Sequence, residues 1–224
     1  MAFEALLAEY EARRAKALAM GGPEKLARRK QAGQLNARER IACLVDQDSF
    51  IESGLFGTSG VYPEQADETP ADGKIAGYAR ISGRDVAVVV NDFTVKGAST
   101  SATNGKKVAH MKRTATERGM PLVIIGESTG ARLPDAMGSR GMGLLLGNDI
   151  TQFRRTRETP LVTAVIGPAF GSSAWLACLA DFAVMHKGAT MAVSSPRLIE
   201  MALGEKVDLD ELGGWRMHAE VTGL

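Results

Sequence analysis

The chain has little of what a metal centre or an extracellular framework requires. It carries two cysteines, Cys43 and Cys178, far apart and with no CxxC. Neither a zinc ribbon nor a disulfide framework is therefore expected, and both are read as reduced core thiols. The three histidines, His110, His186 and His218, lack metal-ligand spacing, so no metal is expected in this chain. Net charge is also small: 27 Lys plus Arg stand against 26 Asp plus Glu, giving +1. That balance offers no electrostatic reason to expect a nucleic acid or a membrane as partner. No apolar run approaches the roughly 18 residues that span a bilayer. Glu4, Glu9 and Glu11 interrupt the stretch where a signal peptide needs its apolar core. A soluble, cytoplasmic protein is the expectation.

What is present is ordinary for a globular enzyme-sized domain, with 45% apolar and 24% charged residues over 224 positions. Residues 1–60 read as an N-terminal helical arm. Phe3, Leu6, Leu7, Tyr10 and Leu18 mark an amphipathic helix ended by Gly21-Gly22-Pro23. A basic helix with Lys25, Arg28, Arg29 and Lys30 follows, readable as a solvated face or as a patch for phosphates or a partner subunit. Asn36 and Glu39 form a capping box for a third helix. Residues 61–72, with two prolines and four acids, read as a solvent-exposed loop.

From residue 73 to 224 the pattern becomes α/β. Lys74–Ile81 and Asp85–Val90 flank a Ser82-Gly83-Arg84 turn and predict a hairpin. A helix is expected from about residue 105 to 118, and another from about 142 to 155. Strands are expected at 121–125 and 161–166, and further strands at 181–185 and 190–193. Alternating strands and helices imply parallel pairing, with a ββα unit at the start of the core.

The two inner strands run straight into glycine-rich turns, Gly126-Glu127-Ser128-Thr129-Gly130-Ala131-Arg132 and Gly167-Pro168-Ala169-Phe170-Gly171-Ser172-Ser173. Such turns let backbone N–H groups face a ligand, and two of them on neighbouring strands can hold one polarised carbonyl. Each well-placed donor on developing enolate charge is typically worth roughly 3 kcal/mol. The first turn also satisfies GxSxG, so a serine hydrolase using Ser128 is an alternative. Its triad partners would be Asp181 with His186 or His218. Gly105-Lys106-Lys107 and Gly138–Gly143 are weak echoes of nucleotide-binding loops. No side-chain acid, base or nucleophile otherwise stands out.

Several motifs, in order, resemble the carboxyltransferase subunits of biotin-dependent acyl-CoA carboxylases, the propionyl-CoA carboxylase β-like family. They are Asn36-Ala37-Arg38-Glu39-Arg40-Ile41, Asp92-Phe93-Thr94-Val95-Lys96-Gly97-Ala98-Ser99, Glu127 to Arg132, Gly167 to Ser172, Asp181-Phe182 and Gly204-Glu205-Lys206-Val207. The resemblance implies a crotonase-like fold of ββα units. It implies an acyl-CoA substrate of the acetyl- or propionyl-CoA class, and a cofactor, biotin, arriving as carboxybiotin on a separate carrier protein. In that family the biotin left after CO2 release is thought to take the α-proton.

By motif position, the Gly171 and Ser172 N–H groups would form an oxyanion hole. Gly130 and Ala131 would line the same pocket, and Gly97, Ala98, Ser99 and Arg132 would hold the CoA. The implied partners are a biotin carboxyl carrier or biotin carboxylase subunit, and either a second copy of the chain or a C-terminal carboxyltransferase half. The family has two related domains and this chain corresponds to the first, so a fragment is expected rather than half of a split enzyme. Related readings are a malonyl-type thioester decarboxylase subunit and a CoA-binding subunit without chemistry. Ser128-Thr129 and Ser172-Ser173 stand where the family has glycine-rich pairs, and are expected to narrow the pocket or add hydroxyl donors.

Overall fold

The computed structural model describes residues 2–136 and 158–224. The helix expected at 142–155 and the Gly138–Gly143 motif lie outside the described residues. At the centre is a hairpin, β2 (Lys74–Ile81) and β3 (Arg84–Asn91), paired antiparallel through their whole length. Ser82 and Gly83 both take positive φ, 52° and 76°, the backbone that a two-residue hairpin turn demands. The Asp46 carboxylate accepts from both of their N–H groups at 2.8 Å. β4 (Leu122–Ser128), β5 (Leu161–Phe170) and β6 (Phe182–Met185) then add in parallel. Among the described residues the sheet order is β1-β2-β3-β4-β5-β6, with the edge strand β1 (Ile51–Ser53) at one end. β7 (Thr190–Ala192) pairs with the last residues of β5, beyond the reach of β6.

β3 is covered on both faces, which is why it is apolar at every position from Val86 to Val90 rather than alternating. Ile75, Val86, Val88 and Val90 point to one face, where they meet Met20, Ala37 and Ile41 of the helical arm. Ala76, Ala87 and Val89 point to the other, against Met111 and Ala115. These last two lie on α4 (Ala102–Arg118). That helix starts three residues before its expected start, because Ser101 and Asn104 form a reciprocal capping box. The arm consists of α1 (Ala2–Leu18), α2 (Pro23–Gln31) and α3 (Ala37–Leu44), the last carrying the expected Asn36–Glu39 box.

The structure corrects three expectations. Residues 61–72 are not an exposed loop throughout: Pro63–Glu68 forms a 3-10 turn, but Thr69, Pro70, Ala71 and Asp72 are buried. Asp72 is drawn inside by donors that its polar sequence context does not reveal, as described below. Cys43 and Cys178 are free but exposed, because Ile41 and the small residues Ala174 and Ala177 take the inward positions of their helices. The stripe on α1 is also outward, with Phe3, Leu6, Leu7 and Tyr10 all exposed. Only Ala17 and Met20, at the end of that segment, are buried.

Under α4 the interior is unusually cationic. Burial pulls Lys74, Lys107 and Lys112 each down to about 8. Between that value and the ordinary lysine pKa of about 10.4, the unfolded chain binds more protons than the folded one, so stability rises with pH. The urea midpoint is expected to increase from about pH 7.5 to about pH 9; a flat or falling midpoint would contradict these shifts.

Candidate active site

β4 and β5 do not stop at their apolar runs. Pairing continues through Gly126 opposite Val165 and Ser128 opposite Ala169, so both glycine-rich turns leave the sheet side by side. A side chain added at Gly171 would lie 3.6 Å from the Gly130 Cα, and Gly171 holds φ 66°. The third wall is the 97–100 loop. The Thr129 N–H donates to the Gly97 carbonyl at 3.0 Å, the Thr100 N–H to the Gly130 carbonyl at 2.8 Å, and the Arg132 N–H to the Thr100 carbonyl at 2.8 Å. Thr100 Oγ1 and Ser172 Oγ are 2.8 Å apart. Gly97, Ala98, Ser99, Gly130, Ala131, Arg132, Gly171 and Ser172 therefore gather around one point, although they span 76 positions of sequence.

Their N–H groups are not equivalent. That of Gly171, expected in the oxyanion hole, is already donated to the Ala192 and Val193 carbonyls at 3.3 and 3.2 Å. The Gly130 N–H goes to Ser128 Oγ at 3.2 Å. Among the described residues no acceptor takes the N–H of Ser172 or of Ala131. Ser172 opens α5 (Ser172–Cys178), where first-turn donors have no partner inside the helix. Ala131 is exposed beside it on the neighbouring turn. Of the two expected donors, Gly171 is thus engaged within the chain and Ser172 is not, and the Ala131 N–H is the other one left without an acceptor among the described residues.

A family model described as the carboxyl transferase domain matches residues 28–224. The chain belongs to this family. The carboxyltransferase subunit of propionyl-CoA carboxylase from Haloferax mediterranei is 32% identical over 100% of this chain and 44% of its own length. The methylmalonyl-CoA decarboxylase subunit alpha of Veillonella parvula is 32% identical over 94% of the chain and 42% of its length. The crystal structure of transcarboxylase 12S, a hexamer assembly with methylmalonyl-CoA and methylmalonic acid bound, matches with a TM-score of 0.84 and 31% identity. That match covers 98% of this chain and 43% of the other. The fold is the crotonase-like α/β fold of these carboxyltransferases. The chain spans less than half the length of each of these relatives.

In this carboxyl transferase domain several expected contact residues are interior ones. Arg132, expected to hold CoA, is 5% exposed and pairs with Asp72 at 2.6 Å. Its Nε donates to Ser99 Oγ at 3.2 Å. Asp72 also accepts from Ser101 Oγ and from the Asn104 N–H. Ala98 and Ser99 are buried, which leaves Gly97, partly open, as the accessible member of that loop. The side chains of Arg132 and Ser99 are thus engaged with one another and with Asp72 behind the turn.

Ser128 is fully buried, with its hydroxyl donated to the Ala98 carbonyl at 3.1 Å. It ties two loops together and has no nucleophile geometry, which removes the basis of the hydrolase alternative. The Ser128 hydroxyl does not extend the donor set into open space, since it is donated within the chain, while the Ser172 hydroxyl pairs with that of Thr100 as donor or acceptor.

Sequence reasoning missed the ion cluster behind the turn. Glu127 Oε1 accepts from Arg29 Nη2 of α2 and, at 3.0 Å, from Arg40 Nη1 of α3. All three side chains are at most 11% exposed. Burial lowers the Arg40 pKa, and Glu127 opposes that shift. Arg29 is thus neither a solvated residue nor part of a phosphate patch. Near the turn Asp135 sits 3.6 Å from Arg132 and faces Ser59, and burial raises its pKa. The cluster is seen only once α2 and α3 bring Arg29 and Arg40 to Glu127 at the end of β4, 98 and 87 positions away in sequence.

Proposed function

We propose that this chain is the acyl-CoA-binding half of a biotin-dependent acyl-CoA carboxyltransferase acting on the acetyl- or propionyl-CoA class. The observation that carries this reading is a pair of N–H groups, Ala131 and Ser172, which have no acceptor among the described residues and sit on two touching turns. Such a pair suits a thioester oxygen that becomes an enolate oxygen when the α-carbon loses its proton. It does not call for a protein base: among the described residues Glu127 is paired with Arg29 and Arg40, and Asp135 is buried 3.6 Å from Arg132.

Carboxybiotin on a carrier protein would supply the carboxyl group and, once CO2 has left, the proton acceptor. The residues here fit the thioester rather than the biotin ring. The ring is assigned to the other carboxyltransferase half, from a C-terminal segment or a partner chain. The chain's own part is to hold the thioester carbonyl and to keep the α-carbon facing that partner. The carrier, and the biotin carboxylase that charges it, are the proposed protein partners. A decarboxylase acting on a malonyl-type thioester would use the same two donors, and the Veillonella relative keeps that reading as second.

Calorimetric titration with propionyl-CoA, acetyl-CoA and free CoA tests the assignment. Acyl-CoA is expected to bind more tightly than CoA, since only the thioester carbonyl can use the two N–H groups. Equal affinities would place the thioester elsewhere.

A further inference from the structure

We propose that the cavity between α4 and the β1–β2 edge is a second binding site, for a small organic anion with an apolar body. The cavity measures about 320 Å³, at the lower end of the small-molecule range. Lys106, Lys107, His110 and Met111 line it from a single face of α4, because positions four residues apart fall above one another on a helix. Gly54 and Ala76 face them from the strand edge. Gly54, at φ 73°, has no side chain, and a Cβ there would lie 3.1 Å from the Lys107 Cε. Its absence keeps this wall open and lets the lysine stem lie flat.

The charges around the cavity are one-sided. Lys107 Nζ donates to the Ala71 and Lys74 carbonyls, at 2.9 and 2.5 Å, which leaves one of its three N–H donors. His110 Nε2 lies 3.3 Å from the Tyr78 hydroxyl, which fixes the ring at the rim. Lys106 is exposed at the same rim. The two nearby carboxylates that act on Lys107 already have other partners: Glu52 is held by Arg38 through bonds of 2.8 and 3.3 Å, and Asp72 by Arg132 at 2.6 Å. Burial costs the Lys107 ammonium part of its charge stabilisation, and a bound anion would restore it. Met111, Ala76 and the lysine stem supply the apolar interior that a fully hydrated ion would not need. None of these residues belongs to the thioester turns, so the two sites are separate on the chain.

The probe is 4-(trifluoromethyl)benzoate, followed by fluorine NMR on the full chain, with 4-(trifluoromethyl)benzamide as its neutral counterpart. The acid is expected to bind at least about tenfold more tightly than the amide, because a charge-assisted hydrogen bond is lost in the amide. Lys107→Met, which keeps the stem, and Lys106→Gln, at an exposed position that folding does not depend on, are each expected to weaken the acid. Saturating CoA is expected to leave its binding unchanged. Equal binding of acid and amide, unaltered binding in Lys106→Gln, displacement by CoA, or no binding of the acid would each overturn the proposal. None of these results depends on carboxyl transfer, so the proposal and the activity can fail independently.

Discussion

Ser172→Pro is expected to lower turnover of the chain assembled with its carboxyltransferase partner by about 10²–10³-fold, the usual cost of one oxyanion donor. The substitution is selective because Ser172 is the first residue of its helix, where proline is tolerated and the N–H has no helical acceptor. Ser172→Ala keeps the N–H and loses only the hydroxyl contact to Thr100, so it is expected to stay within about threefold of wild type. Circular dichroism and the urea midpoint of both variants establish that the fold survives. A Ser172→Pro protein that folds and turns over at the wild-type rate would remove Ser172 from the oxyanion hole. Gly171→Pro is the less informative experiment, since its N–H serves the Ala192 and Val193 carbonyls and its loss disturbs the attachment of β7.

The largest loss of stability is expected from Glu127→Gln. Removing one member of a buried ion pair leaves its partner charged and uncompensated, at a cost of about 3–5 kcal/mol. Here two buried guanidiniums, Arg29 and Arg40, depend on the same carboxylate. Arg29→Met in the Glu127→Gln background is expected to recover part of the loss, because it removes one of the stranded charges. Urea denaturation of the two single variants and the double variant measures this coupling. Strictly additive midpoints would mean that the three groups do not act as a unit. The cluster also fastens α2 and α3 to the end of β4, so the arm and the turn are expected to loosen together. Arm dissociation without any change at the turn would be inconsistent with that fastening.

Much of the architecture was readable along the chain because it rests on local chemistry. The Ser82-Gly83 turn, the Asn36 capping box and the valine run of β3 each follow from residues within a few positions of one another. The sequence reading ends both strands early because Gly126, Ser128, Gly167 and Pro168 look like loop, while in the sheet both strands continue to pair. The exposed-loop reading of 61–72 failed for a related reason. Proline and acids predict solvent, but Asp72 meets Arg132, Ser101 and Asn104, which lie 60, 29 and 32 positions away.

The sequence alone determined the α/β class, the two strand-to-glycine turns, the order of motifs and, through them, the family. Those features are periodicities and short spacings, which every conformation of the chain shares. Which donors remain available was decided only by tertiary structure, since an N–H is free or spent according to what packs against it. The Gly171 N–H is taken by the Ala192 and Val193 carbonyls, whereas those of Ser172 and Ala131 have no acceptor among the described residues. The same holds for Arg132 and Arg29, whose charges face buried carboxylates brought from distant segments. Burial makes an unpaired charge costly, so the fold and not the residue type determines whether an arginine meets a ligand or a carboxylate.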